Sequence, residues 1–285
     1  MSTTAHAAGF SFVEQLAEDL KEDRLDLPAF PDAVLRIQKA LQSPDSSAQD
    51  IVAILGSDPA LAAEVLRTAN SVAFKPADKE ITDLRNAVTR LGMNMVRTIA
   101  VAFAMRQLRK RDVYSDAGRG EIEAIWRESL HLAAVCHVLA RRCTRLNADQ
   151  ALLAGLLHGL GRLYIVMRAE GSEDFTLFHP DVDIRDVASG WQAAIGKAIL
   201  DKWGLPEAIQ HAVEHQDDFD AELEGPESLT DVLIAAKALA AVDAELDAAA
   251  CPAVRRLTAA KGSSVIEILS QHQDDVEALK SSLGG

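Results

Sequence analysis

Apolar residues recur along this chain at intervals of three and four, and almost nowhere alternate with polar ones, so the pattern predicts helices from end to end. Phe12, Val13, Leu16 and Leu20 line one side of a first helix over residues 10–24. Pro28 and Pro31 bias the residues before them to extended backbone. Pro31 then suits the first turn of a second helix bearing Val34, Leu35, Ile37 and Leu41, which Ser43-Pro44-Asp45 stops. Ser47 with Asp50 three residues on predicts a capping box for a third helix carrying Ile51, Ile54 and Leu55. Asp58-Pro59 is a cleaner start signal: Asp58 can accept backbone N–H bonds as N-cap, and Pro59 has no N–H to leave unpaired in the first turn. That helix runs to Ala69 and ends at Asn70-Ser71; another follows over residues 82–91 with Gly92 as its stop.

The second half continues the helical pattern, with no internal repeat. Residues 112–120 are polar and glycine-containing, which predicts a hinge between two helical halves. A long helix over residues 122–142 presents Ile125, Leu132, Val135 and Leu139 on one side, and Asn147 caps the next. That next helix carries the apolar run Leu152–Ile165, with one histidine, His158, set in it. A helix this apolar faces protein on most sides, and Gly159 and Gly161 predict a bend just after the histidine. An acidic loop over residues 170–183 precedes a helix over 184–203; Pro206 opens one ending near His215, and two more helices close the chain over 227–246 and 264–280. The fold class expected is all-α, an N-terminal helical bundle packed on a C-terminal one. Its segments are an N-terminal helix (1–24), an N-terminal half (25–112), a second helical half (119–246) and C-terminal helices (247–285).

Composition narrows the function. The AVILMFWYC set makes up 48% of the 285 residues while aromatics are 5%, which favours helix over sheet. With 29 basic and 43 acidic residues the net charge is -14, so no general basic field exists to draw in a phosphate backbone, and no nucleic-acid partner is expected. The basic run Arg106–Arg111 ends a helix and reads as a solvated, dipole-favoured terminus. Cys136 and Cys143 lie seven residues apart on one helix, about 10 Å and too far to bridge. With Cys251 they read as core thiols of a cytoplasmic protein. No apolar stretch reaches 18 uninterrupted residues and the start lacks a basic region followed by an apolar one, so no membrane insertion is expected. His211 and His215 stand at i, i+4, the spacing that can chelate zinc, but no third ligand is evident and they read as helix-surface histidines. No serine or cysteine sits in a nucleophile elbow.

Several short motifs, unremarkable alone, fall in a telling order: Leu27-Pro28-x-x-Pro31, Asp58-Pro59-Ala60-Leu61, Asn70-Ser71, Ala87-Val88-x-x-Leu91-Gly92, then Gly155-Leu156-Leu157-His158-Gly159. Together they resemble the HDOD domain, a bacterial signalling relative of the metal-dependent HD and HD-GYP phosphohydrolases. The resemblance implies an HD-like helical C-terminal half and a metal site carried over position by position. Trp126-Arg127-Glu128-Ser129 resembles the family's Trp-x-His-Ser, with Glu128 in the histidine's place; the His-Asp pair is His158-Gly159. Gln192 stands where a histidine is expected, Gln216-Asp217 where relatives have His-His, and Lys237 where a ligand carboxylate belongs.

Glu128, His158, Gly159, Gln192, Gln216 and Lys237 thus make a vestigial site, with no catalytic residue, metal or cofactor expected. An ammonium at position 237 opposes a divalent metal and offers no lone pair; it is expected to pair with Glu128. The function implied is non-catalytic signal transduction through a protein partner. Two alternatives stay open: a residual metal-dependent phosphohydrolase, and a module sensing a nucleotide second messenger in the vestigial cleft.

Overall fold

The capping signals become hydrogen bonds. Asp58 Oδ1 accepts from the N–H groups of Ala60 and Leu61, each at 3.1 Å, and Asn147 Oδ1 accepts from those of Asp149 and Gln150 at 3.0 and 3.1 Å. Ser47 N donates to Asp50 Oδ2 at 2.8 Å. In the computed structural model, residues 12–284 are described apart from 13, 16–17, 23, 25–31, 44, 75–79, 110–113, 171–187, 223 and 241–246. Pro28, Pro31 and the acidic loop therefore lie outside the described residues. Among those described there is no strand. The protein is all-α.

The first half comprises α1 (Asp32–Gln42), α2 (Ala48–Gly56), α3 (Pro59–Ala69), α4 (Leu84–Leu91) and α5 (Met93–Arg109). The second comprises α6 (Asp116–Cys143), α7 (Ala148–Leu157), α8 (Leu160–Glu170), α9 (Gln192–Lys202), α10 (Glu207–Glu214) and α11 (Leu229–Ala240). Three short helices follow: α12 (Pro252–Lys261), α13 (Val265–Gln271) and α14 (Gln273–Gly284).

The 28-residue α6 is the axis, buried without interruption from Leu132 to Ala140. Glycines let its neighbours come close: a Cβ on Gly155 of α7 would stand 2.7 Å from the Leu132 carbonyl oxygen, and one on Gly161 of α8 would collide with the Gln192 carbonyl at the start of α9. Taken together, residues 148–170 are long and apolar enough to cross a membrane by composition. Yet 83% of their most apolar window is buried inside the protein, as a core element is.

Some expectations are corrected. The polar stretch 112–120 is no hinge over its described part, because Ser115 caps α6 and its first turn is Asp116–Gly120. Residues 264–280 are not one helix: they break at His272 into α13 and α14, and α12 stands before them, opened by Pro252 and stopped by Gly262 at φ 73°. The basic run is not simply solvated. Arg106, only 15% exposed, pairs with Glu64 of α3 at 2.9 Å, and Arg109 pairs with Glu123 of α6 at 3.0 Å. The C-terminal α14 reaches back to the first half, where the Ser282 carbonyl accepts from Arg67 Nη2 at 2.9 Å and Thr68 Oγ1 at 3.3 Å.

Candidate functional site

The bend between α7 and α8 is the point on which the second half converges. His158 closes α7 and is 5% exposed. Its Nδ1 lies 2.8 Å from the Gly155 carbonyl oxygen, which can only accept, so Nδ1 carries a proton and Nε2 is aimed away. Nε2 faces Glu128 of α6, 3.7 Å from Oε1. The His158 ring is the largest influence on that carboxyl. Partial burial pushes the other way, and with the charges of Arg162 and Lys237 added the Glu128 pKa falls from 4.5 to about 2.

The next residue, Gly159, lets the bend pack closely on α6. A Cβ on Gly159 would stand 3.0 Å from Ile125 Cγ2 and 3.3 Å from Ser129 Oγ, so α6 side chains fill the space a larger residue would need. Ser129 is fully buried and its hydroxyl has no hydrogen-bond partner among the described residues. Across the bend, Gln216 follows α10 and is 1% exposed. Its Nε2 donates to the carbonyls of His158 at 3.0 Å and Val213 at 2.9 Å, while its Oε1 accepts from Lys237 Nζ at 3.0 Å. The amide is a strut between the bend, the end of α10 and α11.

Lys237 does not pair with Glu128, contrary to the sequence expectation. Its ammonium makes an ion pair with Asp217, and Asp217 Oδ2 also accepts from Gln192 Nε2 at 3.3 Å. The Phe219 ring lies 6.0 Å from Nζ. Glu128 takes a different cation: Arg162 of α8, 12% exposed, donates to Glu128 Oε2 at 3.2 Å and through Nε to Glu121 Oε1 at 2.9 Å. All six positions singled out in the sequence therefore lie around one bend. Arg162 and Glu121 were missed, although Arg162 is the single formally charged residue between Asp149 and Arg168, a signal in itself.

The histidines at 211 and 215 stand apart from this cleft network. Their rings are 4.4 Å apart, with Nδ1 of His211 on Thr230 Oγ1 and Nδ1 of His215 on Asp218 Oδ2.

A divalent metal, which the resemblance implies for this position, needs several carboxylate or imidazole lone pairs converging on one point. The donor set here does not fit one. Glu128 Oε2 is held by a guanidinium, Asp217 by an ammonium, and positions 159, 192 and 216 contribute a glycine and two amides. Among the described residues, no three His, Cys, Asp or Glu side chains stand close enough together to hold a metal ion.

Comparisons with known proteins place the fold and the family. The HDOD domain profile matches residues 27–219. The chain is similar to a crystal structure from Shewanella amazonensis SB2B, provisionally described as a metal-dependent phosphohydrolase. The TM-score is 0.76 with 26% identity, over 97% of this chain and 99% of that one. A protein of Marinobacter aquaeolei VT8, provisionally described as a signal transduction protein, shares the fold with a TM-score of 0.63 and 22% identity. That match covers 97% of this chain and 66% of the other. An uncharacterised protein of Treponema pallidum is 27% identical over 215 residues, 70% of this chain, and the match spans only 39% of that relative's length.

Proposed function

The chain belongs to the HDOD domain family, and we propose that within it the protein is a non-catalytic signal-transduction module, acting in the bacterial cytoplasm through contacts with other proteins. One observation supports this above the others: both cleft carboxylates, Glu128 and Asp217, already hold side-chain cations, Arg162 and Lys237. Hydrolysis of a phosphoester by this superfamily's chemistry needs a metal to lower the pKa of a water, and an ammonium or guanidinium binds no water as a Lewis acid does. What the cleft retains is a linked set of ion pairs and amide hydrogen bonds, Glu128 with Arg162 and Asp217 with Lys237, Gln192 and, through Lys237, Gln216. The name carried by the Marinobacter relative, signal transduction, is in keeping with such a role.

Elemental analysis and turnover test the reading together. The purified full chain is expected to carry no stoichiometric iron, manganese or zinc, and to hydrolyse neither cyclic di-GMP nor simple phosphoesters. One metal per chain that is lost in His158→Ala, with manganese-responsive turnover lost in the same variant, overturns it. Affinity capture from the native cell tests the other half: the full chain should enrich a defined partner that an unrelated helical bait does not, and failure to do so removes the protein-contact role.

A further inference from the structure

α14 lies along α6 of the second half and touches α3 and α5 of the first. Those three helices fall within the residues matched by the HDOD domain, 27–219, whereas α14 lies beyond them. Its Val276, Leu279 and Leu283 are 0%, 4% and 2% exposed, so apolar residues at i, i+3 and i+7 face the groove, the spacing by which a helix seats in one. Ser282 shares that face, its hydroxyl turned back to donate to the Leu279 carbonyl at 2.7 Å. A Cβ on Gly284 would stand 3.0 Å from Leu130 Cδ1, so the last turn closes tightly on α6. The groove is cationic at both ends. Arg142 of α6 donates to Asp275 in the first turn of α14 at 3.1 Å, and Arg67 of α3, itself braced by Glu64 at 2.6 Å, donates to the Ser282 carbonyl in the last. A helix is therefore accepted in one direction, with its acidic start at Arg142 and the negative end of its dipole at Arg67. Among the described residues these contacts, with Thr68 on the same carbonyl, are the hydrogen bonds and ion pairs that tie α14 to α3, α5 and α6. The Arg142–Asp275 pair is 42% and 53% exposed, where such pairs contribute little.

We infer that α14 is a detachable strap in a helix-binding groove, and that the protein's partner presents an amphipathic helix of the same pattern, which takes the strap's place on α3 and α6. The inference rests on the reading of the protein as a module of protein contacts, and it names the surface and the class of partner. The partner helix carries apolar residues at i, i+3 and i+7, an acidic first turn and a C-terminal end that reaches Arg67. A strap tethered to its own groove competes at high effective concentration, so a helix displaces it only by fitting better or by making further contacts outside the groove. The strap has 12 residues, a length at which an isolated helix is marginal in water. Once displaced it unwinds, and the surface it covered on both halves passes to the partner.

The probe is a fluorescein-labelled synthetic peptide of residues 272–284, and the proteins are the full chain as wild type and as Leu279→Asp, whose carboxylate is costly to bury in a seat 4% exposed. Hydrogen exchange should show the amides of α14 opening in the variant while those of α6 from Leu132 to Ala140 stay protected. Fluorescence anisotropy should then show saturable binding of the peptide to the variant, at least about tenfold tighter than to the wild type, whose own strap competes. A peptide carrying Leu279→Asp should not bind, and Arg67→Ala in the opened protein should weaken the unaltered peptide by about tenfold. An opened variant that ignores the peptide, or that takes the Leu279→Asp peptide equally well, overturns the inference, as does a Leu279→Asp chain whose α14 stays protected. If Leu279→Asp also strips protection from α6, Val276→Ser takes its place with the same readouts; loss of α6 protection there too makes α14 part of the core and overturns the strap. A wild-type dimer that the free peptide breaks up shows the occupant to be a second copy and overturns the assignment to a different partner. A partner enriched by affinity capture should be released by excess peptide, and one that stays bound overturns the inference while leaving the protein-contact reading intact. Failure to capture any partner removes that reading instead, so the two failures are told apart.

Discussion

Replacing Gln216 by leucine keeps the bulk of the side chain and deletes its amide. Three hydrogen bonds go with it: those to the carbonyls of His158 and Val213, and the one accepted from Lys237 Nζ. At 1% exposure no water can take their place without rearrangement. A buried polar group left without its partner costs about 1–3 kcal/mol, while the leucine recovers part of this as apolar burial, on the order of 1–2 kcal/mol. The ammonium keeps Asp217, which limits its share of the loss. The net expectation is destabilisation by about 2–4 kcal/mol. Urea unfolding measures it, followed in parallel by far-UV circular dichroism and by the fluorescence of Trp126, Trp191 and Trp203. The slope with urea should not change, because the surface exposed on unfolding is the same, so the loss appears as a lower midpoint. A loss under about 1 kcal/mol would refute the strut: the bend would then be held by packing alone and the amide would be incidental.

Further expectations concern the neighbouring residues. Gly159→Asp, which restores the acidic residue that the family resemblance implies, should not confer metal binding. It should destabilise by about 1–3 kcal/mol through crowding against Ile125 and Ser129, a loss that Ile125→Ala partly relieves; a metal-loaded, fully stable variant would contradict this. His137, 6% exposed, has its pKa lowered by burial from 6.5 to about 4. The unfolded chain therefore takes up a proton there before the folded one does. Stability should fall as pH drops from 6.5 towards 4 and be unaffected by this group above 6.5. His137→Gln should flatten that slope, measurable as urea midpoints at neutral and at mildly acidic pH; an unchanged slope would assign it to other groups.

What could be read from the sequence followed how local the cause was. Asp58 and Asn147 cap helices through residues two and three positions on, and both were legible before any tertiary contact existed. The composition of the cleft was legible too, through the ordered motifs of the HDOD resemblance. Its pairing was not. Whether Lys237 meets Glu128 or Asp217 depends on how α11 is set against the end of α10, and on Arg162 of α8 having already taken Glu128. Both are matters of helix packing that spacing along one chain does not determine. The C-terminal segmentation was missed for a different reason: Pro252 and Gly262 are ordinary start and stop signals that bound α12, and the break at His272 carries no glycine or proline to announce it.

The contact between α14 and α3 bears on when the molecule can be finished. Arg67 and Thr68 wait for a carbonyl at position 282, some 215 positions later. The entropy of closing so long a loop grows only slowly with length, but the closing segment must first exist. During synthesis α1–α5 leave the ribosome with that face of α3 uncovered, and it stays so until α14 has been made. Domains otherwise fold from the N-terminus as they emerge. Here α1–α5 have emerged well before Ser282 exists, so the seam of α3 with α14 closes late relative to the packing of the first half, and that face of α3 stays open on the nascent chain in the interval.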